Sequence, residues 1–192
     1  MSVQNGEDKK TLKRNAFLDA ARRIFAQKGY QATNVTDIVA EVKSGQGTFY
    51  YHFRDKQAIF DELMIGFIEK LTRILIENDV RAGDRLAMAD RALALHNARA
   101  IAAAYIENKD LAELFFRELK YIGGDAMSYI DNFYRLMFAQ IENGLRDGIN
   151  SGLLRQEIDP FVTARCIVGS VERAVFEIIR AEKDPDVDAV AA

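Results

Sequence analysis

One cysteine, two prolines and two histidines are all that the 192 residues contain of these types, and each scarcity closes off a class of protein. The lone thiol, Cys166, excludes an internal disulfide framework and fits a reducing interior. With only Pro160 and Pro185 to interrupt the backbone, and no useful stretch alternating with a period of two, the chain reads as nearly all helix. His52, His96 and one cysteine offer no zinc-ligand spacing, and no glycine loop has phosphate-binding form. Neither a metal nor a cofactor is therefore expected, and an enzyme reading has little to stand on. Acid pairs such as Asp61 with Glu62 fall on a solvated helix face. No apolar run reaches the roughly 18 residues needed to span a bilayer. The opening MSVQNGEDKKTLKR lacks the apolar stretch of a secretory signal, so a cytoplasmic chain without a membrane partner is expected.

What is present is 49% hydrophobic residues, enough for a full core. The net charge of -3 is unevenly spread. Residues 1–56 carry 10 Lys and Arg against 6 Asp and Glu, whereas residues 57–192 carry 16 against 23. A basic head on an acidic body is the polarity expected if only the head meets phosphate, although ordinary surface variation could produce the same excess.

Apolar residues three and four apart predict a first helix over about 9–28, burying Leu12, Ala16, Phe17, Ala20, Ala21, Ile24 and Phe25 and ended by Gly29. Asn34 suits the N-cap of a second helix, with Asp37 favouring its exposed amides. That helix buries Ile38, Val39 and Val42 and stops in the turn Lys43-Ser44-Gly45. Either Lys43 or Gly45 could absorb the reversal, Lys43 at a cost of about 1–2 kcal/mol for a left-handed backbone. A third helix, Gln46 to about Tyr51, turns Phe49 inward. Too short and polar to stand alone, it must be held by its neighbours.

A short helix, a tight turn and a second short helix rich in hydrogen-bonding side chains form the minimal equipment of a helix-turn-helix DNA reader. Gln46 can pair bidentately with adenine, and Thr48 and Tyr51 can touch base edges or a thymine methyl. Gly47 is placed with these DNA-facing residues. Tyr50, His52 and Lys56, near the start of a fourth helix with free amides, suit phosphate. A histidine buried under Phe53 is the alternative for His52, and Lys43 is a surface cation or a phosphate contact.

The fourth helix, about 55–78, begins beside the reader and ends in the body. Further helices are expected over about 84–107, 110–121, 125–150 and 160–183, the last started by Asp159-Pro160. The tail after Lys183 has little to anchor it. The body holds an aromatic and Met-rich set that includes Met88, Tyr105, Phe116, Phe133 and Met137, with His96 and Arg99 as polar companions. Most of this set is expected to be plain packing. The remainder could line a site for a hydrophobic effector, with His96, Arg99, Tyr105, Phe116, Phe133 and Met137 as the six candidates and His96 either orienting the ligand or bonding a neighbouring helix. On the last helix Phe161, Ala164, Val168, Val171, Val175 and Ile178 make a narrow seam where another helix can approach, the candidate dimer interface.

The segments RIFAQKGYQATNVTDI and GQGTFYYHFRDKQAIF, in this order and spacing within residues 10–70, resemble the DNA-binding domain of TetR-family transcriptional regulators. The resemblance implies an all-α homodimer. Its N-terminal three-helix helix-turn-helix domain would be residues 1–56, continuing to about residue 70, with a C-terminal ligand-binding and dimerisation domain over 57–192. It also implies repression relieved when a small molecule binds the body, and it carries Thr36 over as a further DNA contact. A near-palindromic double-stranded operator follows from two readers matching groove repeats about 34–36 Å apart. The turn departs from the family pattern, having Val39, Lys43, Ser44 and Gly45 where a small residue, glycine, valine and serine are usual. A helical interaction module whose head has lost operator binding is the alternative.

Overall fold

The computed structural model describes residues 2–82 and 91–181, with side chains described for 9–77 and 96–181. The start of the fifth helix near residue 84, Met88 and the tail after residue 183 lie outside the described residues. Within them the order is α1 (Ser2–Lys28), α2 (Val35–Glu41), α3 (Gln46–His52), α4 (Lys56–Ala82), α5 (Arg91–Glu107), α6 (Lys109–Glu118), a 3₁₀ turn (Leu119–Tyr121), α7 (Gly124–Asn150) and α8 (Pro160–Arg180). No strand occurs among the described residues.

Helix α1 starts earlier than expected, at Ser2, because no proline stands before Lys28 to break it. Its inward stripe is Phe17, Ala20, Ala21, Ile24 and Phe25, all buried. Leu12 is 68% exposed, contrary to expectation. Five residues before Phe17, it sits about 140° round the helix from that stripe. Gly29 then takes φ +83° and its N–H donates to the Phe25 carbonyl at 2.8 Å, closing the helix with a left-handed residue.

Helix α2 opens with the Asn34 N–H donating to Asp37 Oδ2 at 2.9 Å and buries Ile38 and Val39. The reversal after it falls on Lys43, at φ 49°, while Gly45 is extended at φ -85° and forms the N-cap of α3. A lysine holding a left-handed backbone is strained by about 1–2 kcal/mol. Lys43→Gly should relieve it and, after the greater chain entropy of glycine is deducted, raise stability by about 0.5–1 kcal/mol. Urea unfolding reads this directly, and an unmoved midpoint would show that no strain is stored there.

Helix α4 leaves the head and packs along α1, α5, α6 and α7. Its buried residues Ile59, Phe60, Met64, Phe67, Ile68, Leu71 and Leu75 join a single hydrophobic core that runs from Phe17 to Val175. The chain thus changes surroundings near residue 56 without any gap in its core. At the far end Asp159 Oδ1 accepts the Phe161 and Val162 N–H groups at 2.9 and 3.1 Å, and Pro160 stands at the first turn of α8.

Candidate nucleic-acid interface and ligand cavity

Helix α3 is held by one side chain. Phe49 is fully buried, edge-on to Phe17 at 5.5 Å and 5.6 Å from Phe53. With that side fixed, the 3.6-residue period turns Gln46, Gly47, Tyr50 and Tyr51 to solvent, Tyr51 being 68% exposed. Thr36 and Lys43 are also exposed, and Thr48 is half-buried.

Alongside α3 runs a row of α1 cations that the sequence reading did not single out. The Lys10 ammonium lies 5.1 Å from the Tyr51 ring centre, and Lys13 lies 5.8 Å from that of Phe17. Arg14 covers Phe53 at 4.8 Å while paired with Glu62. The spacing of Lys10, Lys13 and Arg14 within KKTLKR places all three on one helix face, which was the available signal. His52 is half-buried, its ring 5.0 Å from Tyr51 and 6.0 Å from Phe17. Burial, and then the charges of Lys10, Arg14 and Lys13, push its pKa below the ordinary histidine value.

Lys56 is not the free phosphate cation expected from its position. Its ammonium donates to the Tyr30 and Thr33 carbonyls, each at 2.8 Å, and sits 4.3 Å from the Tyr30 ring centre. A third donation, at 3.5 Å, reaches the Gln31 carbonyl. The start of α4 is occupied as well, since Asp55 Oδ1 accepts the Ala58 N–H at 2.8 Å. That bond holds the Asp55 carboxyl below the usual carboxylate range. Lys56 thus clamps the turn between α1 and α2. Lys56→Ala should weaken binding to all DNA sequences alike and also lower stability by about 1.5–3 kcal/mol. An unchanged melting temperature would return Lys56 to a purely phosphate role.

The body contains a cavity of about 460 Å³ between α4, α5, α7, α8 and the link 151–159. Leu75, Ile101, Met137, Ile141, Leu145, Leu154, Val168 and Val171 give it an apolar wall, and Asn97, Tyr105, Gln140 and Glu172 bring polar atoms to it. Of the six residues proposed for a ligand, Tyr105 and Met137 line this cavity. Phe133 is fully buried in the core, and Phe116 stacks on Tyr105 at 5.4 Å behind the wall, so neither reaches it. His96 and Arg99 are exposed on the other side of α5. Glu172 was missed. Its hint was an acid sharing the inward face of α8 with Val168, Val171 and Val175. Glu172 Oε1 accepts the Tyr134 hydroxyl at 2.9 Å and the Tyr105 hydroxyl at 3.3 Å. Burial raises the Glu172 pKa above the ordinary glutamate value, the two phenols opposing it, and burial raises both phenols too.

The apolar seam of α8 faces inward rather than outward. Ala164, Val168 and Val175 are buried, and Val171 and Ile178 are half-buried, because α6 and α7 cover that side. Of the expected dimer residues only Phe161 is exposed, at 55%. The face that α8 presents outward carries Val162, Cys166, Gly169 and Ala174 instead.

Head and body meet where α1 ends on α6. Arg22 grips Asp110 with two bonds of 2.5 and 2.6 Å. Burial raises the Asp110 carboxyl, but Arg22 outweighs it and leaves the group below its usual value. Arg117 Nη2 donates to the Phe25 carbonyl at 3.2 Å, and the buried Glu118 accepts the Tyr30 N–H at 3.3 Å. Gln57 accepts the Tyr30 hydroxyl at 2.6 Å and donates to the Tyr121 carbonyl at 3.1 Å. Phe116, on the same helix as Glu118, touches the cavity residue Tyr105, so cavity wall and reader share a chain of packed groups.

Residues 17–63 match the family model described as bacterial regulatory proteins, tetR family. The chain is 30% identical over 158 residues to the uncharacterized HTH-type transcriptional regulator YhgD of Bacillus subtilis (strain 168), covering 79% of this chain and 76% of that protein. It is 28% identical over 144 residues to the HTH-type transcriptional repressor KstR2 of Rhodococcus jostii (strain RHA1), covering 72% and 68% of the two. The fold resembles that of the regulator FadR from Bacillus subtilis, solved in complex with stearoyl-CoA, with a TM-score of 0.64, 20% identity and 92% of each chain covered. No helix among the described residues is long and apolar enough to cross a membrane.

Proposed function

The chain belongs to the TetR family of bacterial regulatory proteins and is a DNA-binding transcriptional regulator; from that premise we propose that it is a cytoplasmic repressor released from its operator by a small, mainly hydrophobic effector. The observation that carries this reading is the pairing of an outward-turned α3 with an apolar cavity of about 460 Å³ in the same chain. Gln46, Thr48 and Tyr51 read base edges, while Thr36, Lys43, Gly47, Tyr50, Lys10 and Lys13 approach the backbone. His52, half-buried, positions Tyr51 at the edge of this surface.

Two copies bind a near-palindromic operator, joined through the outward face of α8 around Val162, Cys166 and Gly169. The effector occupies the cavity beside Tyr105 and Met137. It acts by favouring a conformation in which Phe116 and α6 shift the end of α1 and the start of α4, and it can do so only if it binds that conformation better. The named repressor KstR2 and the stearoyl-CoA complex of FadR support a regulator of this kind.

The test begins with selection of genomic fragments that the purified protein retains, followed by titration of single-base variants of the recovered site. Gln46→Ala should lose about 1–3 kcal/mol of discrimination at one position of each half-site and leave the others unchanged. Equal losses on every sequence would remove α3 as the reader, and a protein that binds as a single subunit would remove the paired operator.

A further inference from the structure

Three donors beside the cavity are already engaged. The Tyr105 and Tyr134 hydroxyls both end on Glu172 Oε1, and the Gln140 amide donates to the Leu75 carbonyl at 3.0 Å. What is left over includes accepting capacity at the carboxyl, for no described hydrogen bond ends on Glu172 Oε2. Among the described residues no Lys, Arg or His lines the wall, and Glu172 is the one ionisable acid or base there apart from the Tyr105 phenol. An acceptor left unpaired in an apolar site is costly, and an anion brought beside a carboxyl without a compensating cation costs more.

We infer that the cavity selects an apolar molecule carrying a hydrogen-bond-donating head group, an amine or a hydroxyl, docked on Glu172, and that it rejects carboxylates. This rests on reading the cavity as the effector site.

Three probes of one chain length separate the head groups: decylamine, decan-1-ol and decanoate, titrated calorimetrically into the full chain below their micelle concentrations. The amine, the alcohol or both should bind at least tenfold more tightly than decanoate. Binding by the alcohol alone would identify a neutral hydrogen bond, and by the amine alone an ion pair. Glu172→Gln, which keeps an acceptor but removes the acid, should narrow the gap between decylamine and decanoate. Decanoate binding as tightly as the other two, binding by none of the three, or a gap unaltered in a folded Glu172→Gln protein would overturn the inference. The ranking in the unaltered chain stands whether or not that variant folds. Operator release is measured in parallel. Tight binding without release would defeat the effector mechanism while leaving the head-group preference intact.

Discussion

Phe49→Ala should lower the unfolding free energy by about 3–5 kcal/mol and take operator binding with it. Phe49 has no exposed surface and is the buried residue of the seven in α3. A helix of two turns has no stability of its own in water, so its orientation is borrowed from the contacts of Phe49 with Phe17 and Phe53. Truncating the ring removes the transfer free energy of a benzyl group and leaves a cavity between α1, α3 and the start of α4. Denaturant unfolding followed by circular dichroism measures the first effect, and titration of labelled operator the second. If the variant bound operator as tightly as the parent, another contact would have to hold the helix.

The second large effect lies at the joint between head and body. Gly29→Val should cost about 2–4 kcal/mol, because two independent penalties meet at one Cβ. The backbone there has φ +83°, which a β-branched residue adopts only under strain. An added Cβ would also stand 3.1 Å from Glu118 Oε1 and 3.6 Å from Arg117 Nη2. Those are the groups that hold the Tyr30 N–H and the Phe25 carbonyl, so the substitution strains the turn and pushes away the helix that supports it. For a chain of this size the melting temperature should fall by about 5–15 °C. A fall of under about 2 °C would show that the joint yields freely.

The helical architecture was largely legible, because so few prolines and such regular apolar spacing leave the backbone little else to do. The ends of α7 and α8 and the cap at Asp159 follow from the same signals. The outward face of α3 was legible too, since fixing Phe49 inward determines where Gln46, Tyr50 and Tyr51 point. Lys56 was misjudged because spacing places a residue on a helix but not the end of a long flexible side chain, and the nearby Tyr30 and Thr33 carbonyls decide where its charge goes. In the body, aromatic residues at helical spacing cannot be sorted into wall and packing until the facing helices are known. Phe133 and Phe116 proved to be packing, whereas the cavity needs small residues such as Gly144 and Gly148 at its edge. The α8 stripe was found correctly as a stripe, but an apolar face does not say whether its cover comes from the same chain or another.

The unbroken run of 27 residues in α4 makes it a lever arm of about 40 Å. Leu75 borders the cavity near one end, and Lys56 grips the α1–α2 turn at the other. From Leu75 to Lys56 the rod spans about 28 Å, so a rotation of about 5° about its cavity end would carry its tip through roughly 2.5 Å, most of the rise of one base pair. So small a rotation would leave the packing at the fulcrum almost unchanged, yet in the paired regulator proposed above it would put two readers out of step with the pitch of the duplex.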